Sequence, residues 1–322
     1  MIRILSFILV LGLLIQPVAA QKILVPADSL NASRVHSAIV IGGLTYTGFS
    51  IGLYNAWYKK YDQTSFHLFD DLYEWNQMDK AGHVHSAYFQ GIIAYKGMRW
   101  AGVSKKKSLL TGIITGTLFQ GTIEVMDGFS TKWGFSLGDM AANIAGTSVF
   151  ALQQHYWNEQ RIHLKMSSIP IHYSKTAVYA TDKTGVSTLY KRAQELYGNT
   201  FYERFLKDYN AQVYWASFDV HSFLPEDNIW PKWLNLALGY GAGNMYGGFD
   251  NSWMSGDHMY VLNPQQYPRY RRFFIGPDLN LTSLNTKRPF LKTVFSALNV
   301  FRIPSPAIEI NTRRELIFHL LR

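Results

Sequence analysis

Acidic and histidine side chains recur in three segments of the sequence at spacings of three or four residues. The pairs are Asp79 with His83, Glu124 with Asp127, and Asp139 with Asn143. Side chains three or four residues apart lie on one face of a helix. Carboxylates beside an imidazole bind divalent cations. A carboxyl whose pKa is raised by like-charged neighbours can also act as a general acid, with the imidazole as base.

Two roles are therefore predicted for these segments. The catalytic candidates are His83, Glu124, Asp127 and Asp139, with a divalent metal as a possible cofactor. The candidates for a binding or structural polar cluster are Asp79, Lys80 and Asn143. Ionisable groups within apolar helices are costly, which favours a functional role.

Four apolar helices with small-residue interiors must position these side chains. We predict them at Val35–Trp57, from Lys80 to about Arg99, at Ser108–Met126, and from Leu137 onward. If consecutive helices are antiparallel, the second begins where the third ends and the fourth begins. All three polar pairs then meet at one end of the bundle. The short connection 128–135 favours this arrangement.

A structural interpretation of the same residues stays open. Asp79 is predicted as the N-cap of the second helix, and Ser136 with Asp139 has the pattern of a capping box. Lys80 could pair with Glu124 or Asp127 and turn the cluster into a salt-bridge network. Asn143 could link helices by hydrogen bonds.

The composition indicates a membrane-associated chain. Of 322 residues, 16% are charged, below the roughly 25% of soluble domains, and 15% are aromatic, as at membrane interfaces. The formal charge is +9, but the basic residues are scattered apart from Lys105–Lys107, and no nucleic-acid-binding motif is present. We therefore expect membrane lipid, envelope glycan or a protein as partner, and no nucleic acid.

The N-terminus has the pattern of a secretory signal peptide, predicted at residues 1–20. Arg3 precedes an apolar core from Ile4 to Ile15, and the small residues Val18-Ala19-Ala20 form a cleavage site. The chain contains no cysteine, which excludes disulfides, thiolate metal sites and a lipobox. We expect export to the cell envelope, in the outer membrane or a periplasm-facing membrane.

The predicted fold is α+β, a membrane-type four-helix bundle over residues 34–153 followed by a β-rich region over 154–322. Aromatic segments with partial alternation start at Gln212, Trp233 and Arg271, and a shorter one starts at Glu315. Such alternation predicts strands. An amphipathic helix is predicted at about Phe290–Phe301. A soluble bundle with a glycine-rich core stays the alternative for the first region.

Three ordered blocks resemble a known family. These are D-K-x-x-H (Asp79–His83), G-x-x-E-x-x-D (Gly121–Asp127) and S-x-x-D-x-x-A-N-x-x-G (Ser136–Gly146). They are similar to the YfiM-type predicted periplasmic lipoprotein family and, more distantly, to VanZ-like membrane proteins. The resemblance implies an envelope protein and implies no reaction. The family positions would be the seven candidates given above, Asp79, Lys80, His83, Glu124, Asp127, Asp139 and Asn143. The absence of a lipobox cysteine departs from the lipoprotein pattern.

The resulting hypothesis is an envelope membrane protein that binds lipid, glycan or a protein partner through the polar end of its bundle. The first alternative is a hydrolase or transferase acting on a lipid-linked envelope substrate, with His83, Glu124, Asp127 and Asp139 at its centre. The second is a structural factor in outer-membrane assembly.

Overall fold

The computed structural model describes residues 23–59 and 61–322, so the predicted signal peptide lies outside the described residues. The first part of the chain is helical. Its four long helices are α1 (Ala32–Leu53), α2 (Met78–Trp100), α3 (Lys105–Gly128) and α4 (Leu137–Tyr156). A π-helical turn, Tyr54–Tyr58, extends α1, and a 3-10 turn, Glu74–Gln77, precedes α2.

Helices α2, α3 and α4 pack closely because glycines face the neighbouring backbones. A side chain at Gly112 would lie 2.7 Å from the Gly91 carbonyl oxygen, and one at Gly116 would lie 2.8 Å from the Ala87 carbonyl oxygen. Such close approach is the physical use of a small-residue pattern in helix packing. The same contacts bring the polar faces of the helices together at one end.

Helix α1 lies against this trio through aromatic contacts and has no buried residue. The rings of Tyr46 and Phe49 contact the ring of Phe119, at 5.1 and 5.3 Å between centroids. Leu44, on the same helix, is 68% exposed. By length and composition, one of the described helices, Lys105–Gly128, is long and apolar enough to cross a membrane.

The C-terminal part is built on a six-stranded antiparallel sheet. Its order is β1 (Ile162–Ser168), β4 (Gln212–Phe218), β5 (Leu234–Gly243), β8 (Tyr270–Leu279), β9 (Ala307–Asn311) and β10 (Leu316–His319). Two hairpins are inserted, β2 (Ala177–Tyr179) with β3 (Val186–Thr188) and β6 (Ser252–Ser255) with β7 (His258–Val261). The other helices are α5 (Leu189–Tyr197), α6 (Phe201–Lys207), α7 (Val220–Phe223) and α8 (Pro289–Leu298), and Leu281–Ser283 forms a 3-10 turn.

One face of this sheet is apolar and exposed, and the buried face combines an apolar cluster that includes Trp215 and Phe274 with charged groups. On β5, β8 and β9 the residues of one face are apolar and exposed, namely Leu236, Leu238, Phe273, Ile275, Ile308 and Ile310. The opposite face is buried and carries charged groups. Lys165 and Asp278 pair there at 2.7 Å with both side chains fully buried, and Arg272 pairs with Glu309 at 2.6 Å.

The bundle contacts the sheet at strands β1 and β4. The Tyr88 hydroxyl on α2 donates a hydrogen bond to the Ile162 carbonyl at 3.1 Å. The ring of His85 lies 5.7 Å from the ring of Tyr214, and the Tyr240 hydroxyl donates to the Asn76 carbonyl. The contacts extend along α2 to the end of α4, where the Gln153 side chain donates to the Ile162 carbonyl at 3.0 Å, so the sheet lies alongside the bundle.

The α+β prediction is confirmed, with helices followed by an antiparallel sheet. The helix starting at Leu137 is placed correctly, while the second helix begins at Met78 and the third at Lys105, both earlier than predicted. The lysine run therefore opens a helix. The C-terminal helix ends at Leu298, three residues before the predicted Phe301.

Candidate functional site

The polar residues of three helices meet around the imidazole of His83. Its Nε2 atom lies 3.6 Å from Glu124 Oε1, 3.8 Å from Asp139 Oδ1 and 3.9 Å from Asp79 Oδ1. Because α2 begins where α3 ends and α4 begins, these four side chains share one end of the bundle. The sequence had predicted this convergence from antiparallel helices alone.

Lys80 forms the second centre of the cluster. Its Nζ atom lies 2.7 Å from Asp71 Oδ1, 2.8 Å from Asp139 Oδ1 and 3.6 Å from Asp79 Oδ2. Lys80 therefore belongs to a salt-bridge network, as the structural alternative predicted. Its partners differ from the predicted ones, because neither Glu124 nor Asp127 pairs with Lys80 among the described ion pairs.

The N-terminus of α4 is tied directly to the acidic groups. The Ser136 hydroxyl caps the helix by accepting a hydrogen bond from the Asp139 amide at 3.0 Å, and it donates to Asp71 Oδ1 at 2.5 Å. The Ser136 amide donates to Glu124 Oε2 at 3.2 Å. Glu124 therefore takes the amide that the side chain of Asp139 would take in a capping box, and Asp139 stays directed into the cluster.

The predicted N-cap role of Asp79 is wrong. Helix α2 starts one residue earlier, and its N-cap is Gln77, in the left-handed conformation with φ 61°. Asp79 lies in the first turn and accepts a hydrogen bond from the Tyr209 hydroxyl at 2.7 Å. Its side chain, 24% exposed, is the most open of the carboxylates around His83, so the site faces solvent on this side.

Asn143 determines which nitrogen of His83 faces the carboxylates. Asn143 Oδ1 lies 2.9 Å from His83 Nδ1 and accepts its proton. In a neutral ring the Nε2 lone pair would then point at three carboxylate oxygens. That arrangement is repulsive unless a proton or a metal ion lies between them. Asn143 therefore fixes the tautomer and orientation of the His83 ring, as a hydrogen-bond partner on the second ring nitrogen does.

Asp127 lies at the edge of the cluster and has a partner of its own. Its Oδ1 accepts a hydrogen bond from the Tyr58 hydroxyl at 2.7 Å. Tyr58 also lines a cavity of about 180 Å³ together with Tyr54, Tyr61 and Met126. Asp127 is thus separated from this cavity by one phenol ring and does not take part in the group around His83.

Burial and mutual repulsion hold several of these acids partly protonated near neutral pH. Burial raises the pKa of Glu124 to about 7 and that of Asp127 to about 8. Burial, together with the charge of Asp79, also raises the pKa of Asp139. Burial opposes a charge on His83, but the charges of Asp79 and Asp139 outweigh it and raise the pKa of the imidazole. Carboxyl groups thus outnumber the available cations.

Glu124 supplies an unsatisfied group inside the site. Its side chain is 1% exposed, and Oε1 has no hydrogen-bond partner among the described residues. A buried carboxylate oxygen without a donor is unfavourable and calls for a ligand or a proton. This atom points toward His83 Nε2.

The donor set fits a divalent cation. One donor atom each from Asp79, His83 and Asp139 lies within 4.8 Å of the other two. In a tetrahedral site with metal–ligand distances of about 2.0–2.2 Å, neighbouring ligand atoms are roughly 3.3–3.6 Å apart. The distances of 3.6–3.9 Å from Nε2 are a few tenths of an ångström wider. A single ion held by these residues therefore requires their side chains to move inward.

Sequence reasoning missed several members of the cluster. Asp71 and Glu74 come from the connection between α1 and α2, where no periodicity marked them, and Tyr58 and Tyr209 are contributed by distant segments. Burial raises the pKa of Glu74 to about 7. The capping pattern at Ser136 was the one available signal for a residue that holds the acids in place.

The remaining histidines lie elsewhere. His85 packs beside the rings of Phe89 and Tyr214, and its pKa is lowered to about 4 by burial. His258 pairs with Asp182 at 2.7 Å on the surface, and His163 is buried in the sheet. Among the described residues, the group that could hold a metal ion, Asp79 with His83 and Asp139, does not include them.

Comparison with known proteins gives one match. Residues 68–155 match the sequence model of a family described as "Predicted periplasmic lipoprotein (DUF2279)". No curated protein and no solved structure matches the chain. The match supports an exported, envelope location, and the narrower YfiM-type and VanZ-like resemblance stays a prediction. The segment similar to this family runs from the connection before α2 to the end of α4, and it contains all seven polar residues predicted from the sequence.

Proposed function

We propose that this chain is an exported envelope protein that binds a divalent cation at the polar end of its helical bundle. The ligands would be Asp79, His83, Glu124 and Asp139. The observation that carries the proposal is that His83 Nε2 faces one oxygen of each carboxylate at 3.6–3.9 Å, while Glu124 Oε1 has no hydrogen-bond donor in the described part of the chain.

The chemistry of the donors selects the ion. One imidazole nitrogen with carboxylate oxygens suits Zn²⁺ or Mn²⁺, whereas Ca²⁺ prefers six to eight oxygen ligands. Lys80 holds Asp71 and Asp139 in place and shares the Asp139 oxygen with the site. Because Asp79 is the open side, an anionic group of an envelope lipid or glycan can complete the coordination there. The bound ion would then link the protein to the envelope lipid or glycan.

Metal analysis tests this proposal. The purified protein is dialysed against Zn²⁺ or Mn²⁺ and its metal content is measured beside the Glu124→Gln/Asp139→Asn double variant. We expect about one ion per chain in the wild type and none in the still-folded variant. The control is Asp182→Asn, which removes a surface carboxylate paired with a histidine. The proposal fails if wild type and double variant hold the same amount of metal.

A second candidate function is a hydrolase or transferase acting on a lipid-linked substrate. The cavity of about 180 Å³ favours it, because the hydroxyl of Tyr58, which lines the cavity, donates to Asp127, and burial raises the pKa of Asp127 to about 8. A carboxyl protonated near neutral pH is suited to general acid catalysis. The test measures hydrolysis of three nitrophenyl esters, a phosphate monoester, a phosphodiester and an acetate. Rates are compared between wild type and the variants Asp127→Asn and Glu124→Gln. Equal rates in all three would eliminate this alternative.

We further propose that the exposed apolar surfaces contact envelope lipid or a protein of outer-membrane assembly. Helix α1 has no buried residue, and the sheet presents Leu238, Phe273 and Ile310 outward. Washing native membranes with carbonate, urea or detergent tests this point. Release by detergent alone is expected for lipid contact, and release by urea would instead indicate a protein partner.

A further inference from the structure

A second cavity, remote from the cluster around His83, is lined by positive charge. It has a volume of about 510 Å³ and lies where the end of α2 meets the segment 281–296. Three lysines from separate parts of the fold line it: Lys96 on α2, Lys232 just before β5, and Lys292 on α8. A volume in this range is typical of sites for small ligands.

No carboxylate offsets these charges. Among the described residues the cavity lining contains neither Asp nor Glu, and no ion pair is recorded for Lys232 or Lys292. Lys96 donates to the Ser296 hydroxyl at 2.6 Å and forms no ion pair either. Desolvation by burial of the ammonium group lowers the pKa of Lys96. Several ammonium groups around a concave surface produce a positive electrostatic potential there, and this potential attracts anions.

Neutral donors and apolar groups complete the lining. Ser283 and Asn285 offer a hydroxyl and an amide, and neither side chain has a recorded hydrogen bond within the described part of the chain. Leu281 and Phe295 provide apolar wall, and Leu284 is 37% exposed beside them. A ligand that suits this lining carries a compact anion with several acceptor oxygens and an apolar portion next to it.

We propose that this cavity binds a phosphate group, held by Lys96, Lys232 and Lys292. A phosphate offers acceptor oxygens to ammonium, hydroxyl and amide donors at the same time. The same chemistry is found in the headgroup of an anionic phospholipid and in a soluble phosphate. The apolar wall favours the lipid, and the experiment separates the two sources. This proposal is independent of the cation site.

The test compares wild type with the Lys232→Gln/Lys292→Gln double variant. Both lysines are exposed, and neither side chain forms an ion pair or hydrogen bond with another described residue, so the variant should fold with an unchanged Tm. The matched control is Lys191→Gln/Lys287→Gln, which removes two exposed lysines that do not line the cavity. The probes are vesicles of phosphatidylcholine with or without phosphatidylglycerol, and inorganic phosphate alone.

We expect wild type to bind the phosphatidylglycerol vesicles well above the phosphatidylcholine vesicles. The cavity variant should lose roughly thirtyfold in affinity, since each lysine near an anionic surface contributes about a fivefold factor, and the control should lose far less. Binding of inorganic phosphate without preference for the anionic vesicles would assign a soluble source. The proposal is overturned if the control loses as much as the cavity variant, or if wild type binds neither probe.

Discussion

Two buried charged regions of this molecule are composed differently. At the end of the bundle, carboxyl groups from Asp71, Asp79, Glu124 and Asp139 surround one lysine and one histidine. Inside the sheet, each acid has a cation of its own, Lys165 with Asp278 and Arg272 with Glu309. The first region has an excess of negative charge, while the two pairs of the second are balanced.

The pKa values follow from this difference. In the bundle, burial prevails and raises the pKa of Glu124 to about 7. In the sheet, burial is outweighed by the hydrogen bonds and charge of Arg272, and the pKa of Glu309 falls to about 2. A balanced pair stabilises one structure without needing a ligand. An acidic excess is stable only with protons or a bound cation, which is the property of a binding site.

The largest expected effect is the loss of stability when the buried ion pair between Lys165 and Asp278 is broken. Lys165→Met strands the fully buried Asp278 carboxylate, so we expect a loss of about 3–5 kcal/mol in the free energy of unfolding. Urea denaturation measures it. The control is Arg313→Met, whose exposed pair with Glu315 should contribute only about 0–1 kcal/mol. Equal losses would show that Lys165 and Asp278 do not act as a buried pair.

The second largest effect is expected when one carboxylate of the acidic cluster at the end of the bundle is removed. Glu124→Gln removes a charge that no cation fully balances, so its stability in EDTA should stay within about 1 kcal/mol of wild type. Affinity for Zn²⁺ should fall by about a hundredfold or more, because a ligand is lost. Calorimetric titration and urea denaturation of the same samples measure both quantities. A large loss of stability with unchanged affinity would reverse our assignment of the two regions.

The pH dependence distinguishes the regions within one protein. Without metal, folded Glu124 and Asp127 bind protons at pH values where their unfolded forms, with ordinary pKa values of 4.5 and 3.8, do not. Their contribution to stability should therefore rise as the pH falls from about 8 to 5. Glu309 acts in the opposite direction, and its contribution is lost as the pH falls from 4.5 toward 2. Buried His85, whose pKa burial lowers to about 4, stays neutral in the folded protein and opposes the gain below pH 6.5. Urea denaturation in EDTA should therefore show stability rising as the pH falls from about 8 to 6.5 and a maximum between about pH 5 and 6.5. Stability that instead increases steadily from pH 5 to 8 would contradict the raised pKa values.

The smallest expected effect concerns the helix cap between the acids. Ser136→Ala removes the acceptor of the Asp139 amide and the donor to Asp71, so we expect a loss of about 1–2 kcal/mol. Thermal denaturation measures it, with Ser174→Ala as an exposed control. Ser136→Thr should restore most of the loss, and failure to do so would argue against capping as the cause.

The sequence by itself determined the α+β order and the meeting of Asp79, His83, Glu124 and Asp139. Helical spacing places each pair on one face, and short connections impose antiparallel helices. Both the spacing and the connection lengths are local properties that can be read directly from the sequence. The boundaries were less exact because the N-caps before Met78 and Lys105, Gln77 and Ser104, make no side-chain cap hydrogen bond that would mark the helix start in the sequence.

Only the tertiary structure decided which charges pair. Lys80 could reach Glu124 or Asp127 by sequence logic, but Asp71, from a connection without periodicity, lies 2.7 Å from it. The sheet is a second case, since alternation predicts two faces without saying which is buried. The buried face holds Trp215 and Phe274 together with Lys165 and Arg272, whose acidic partners come from other strands. Ion pairing depends on distances of a few ångströms between remote segments, and residue spacing along the chain does not specify them.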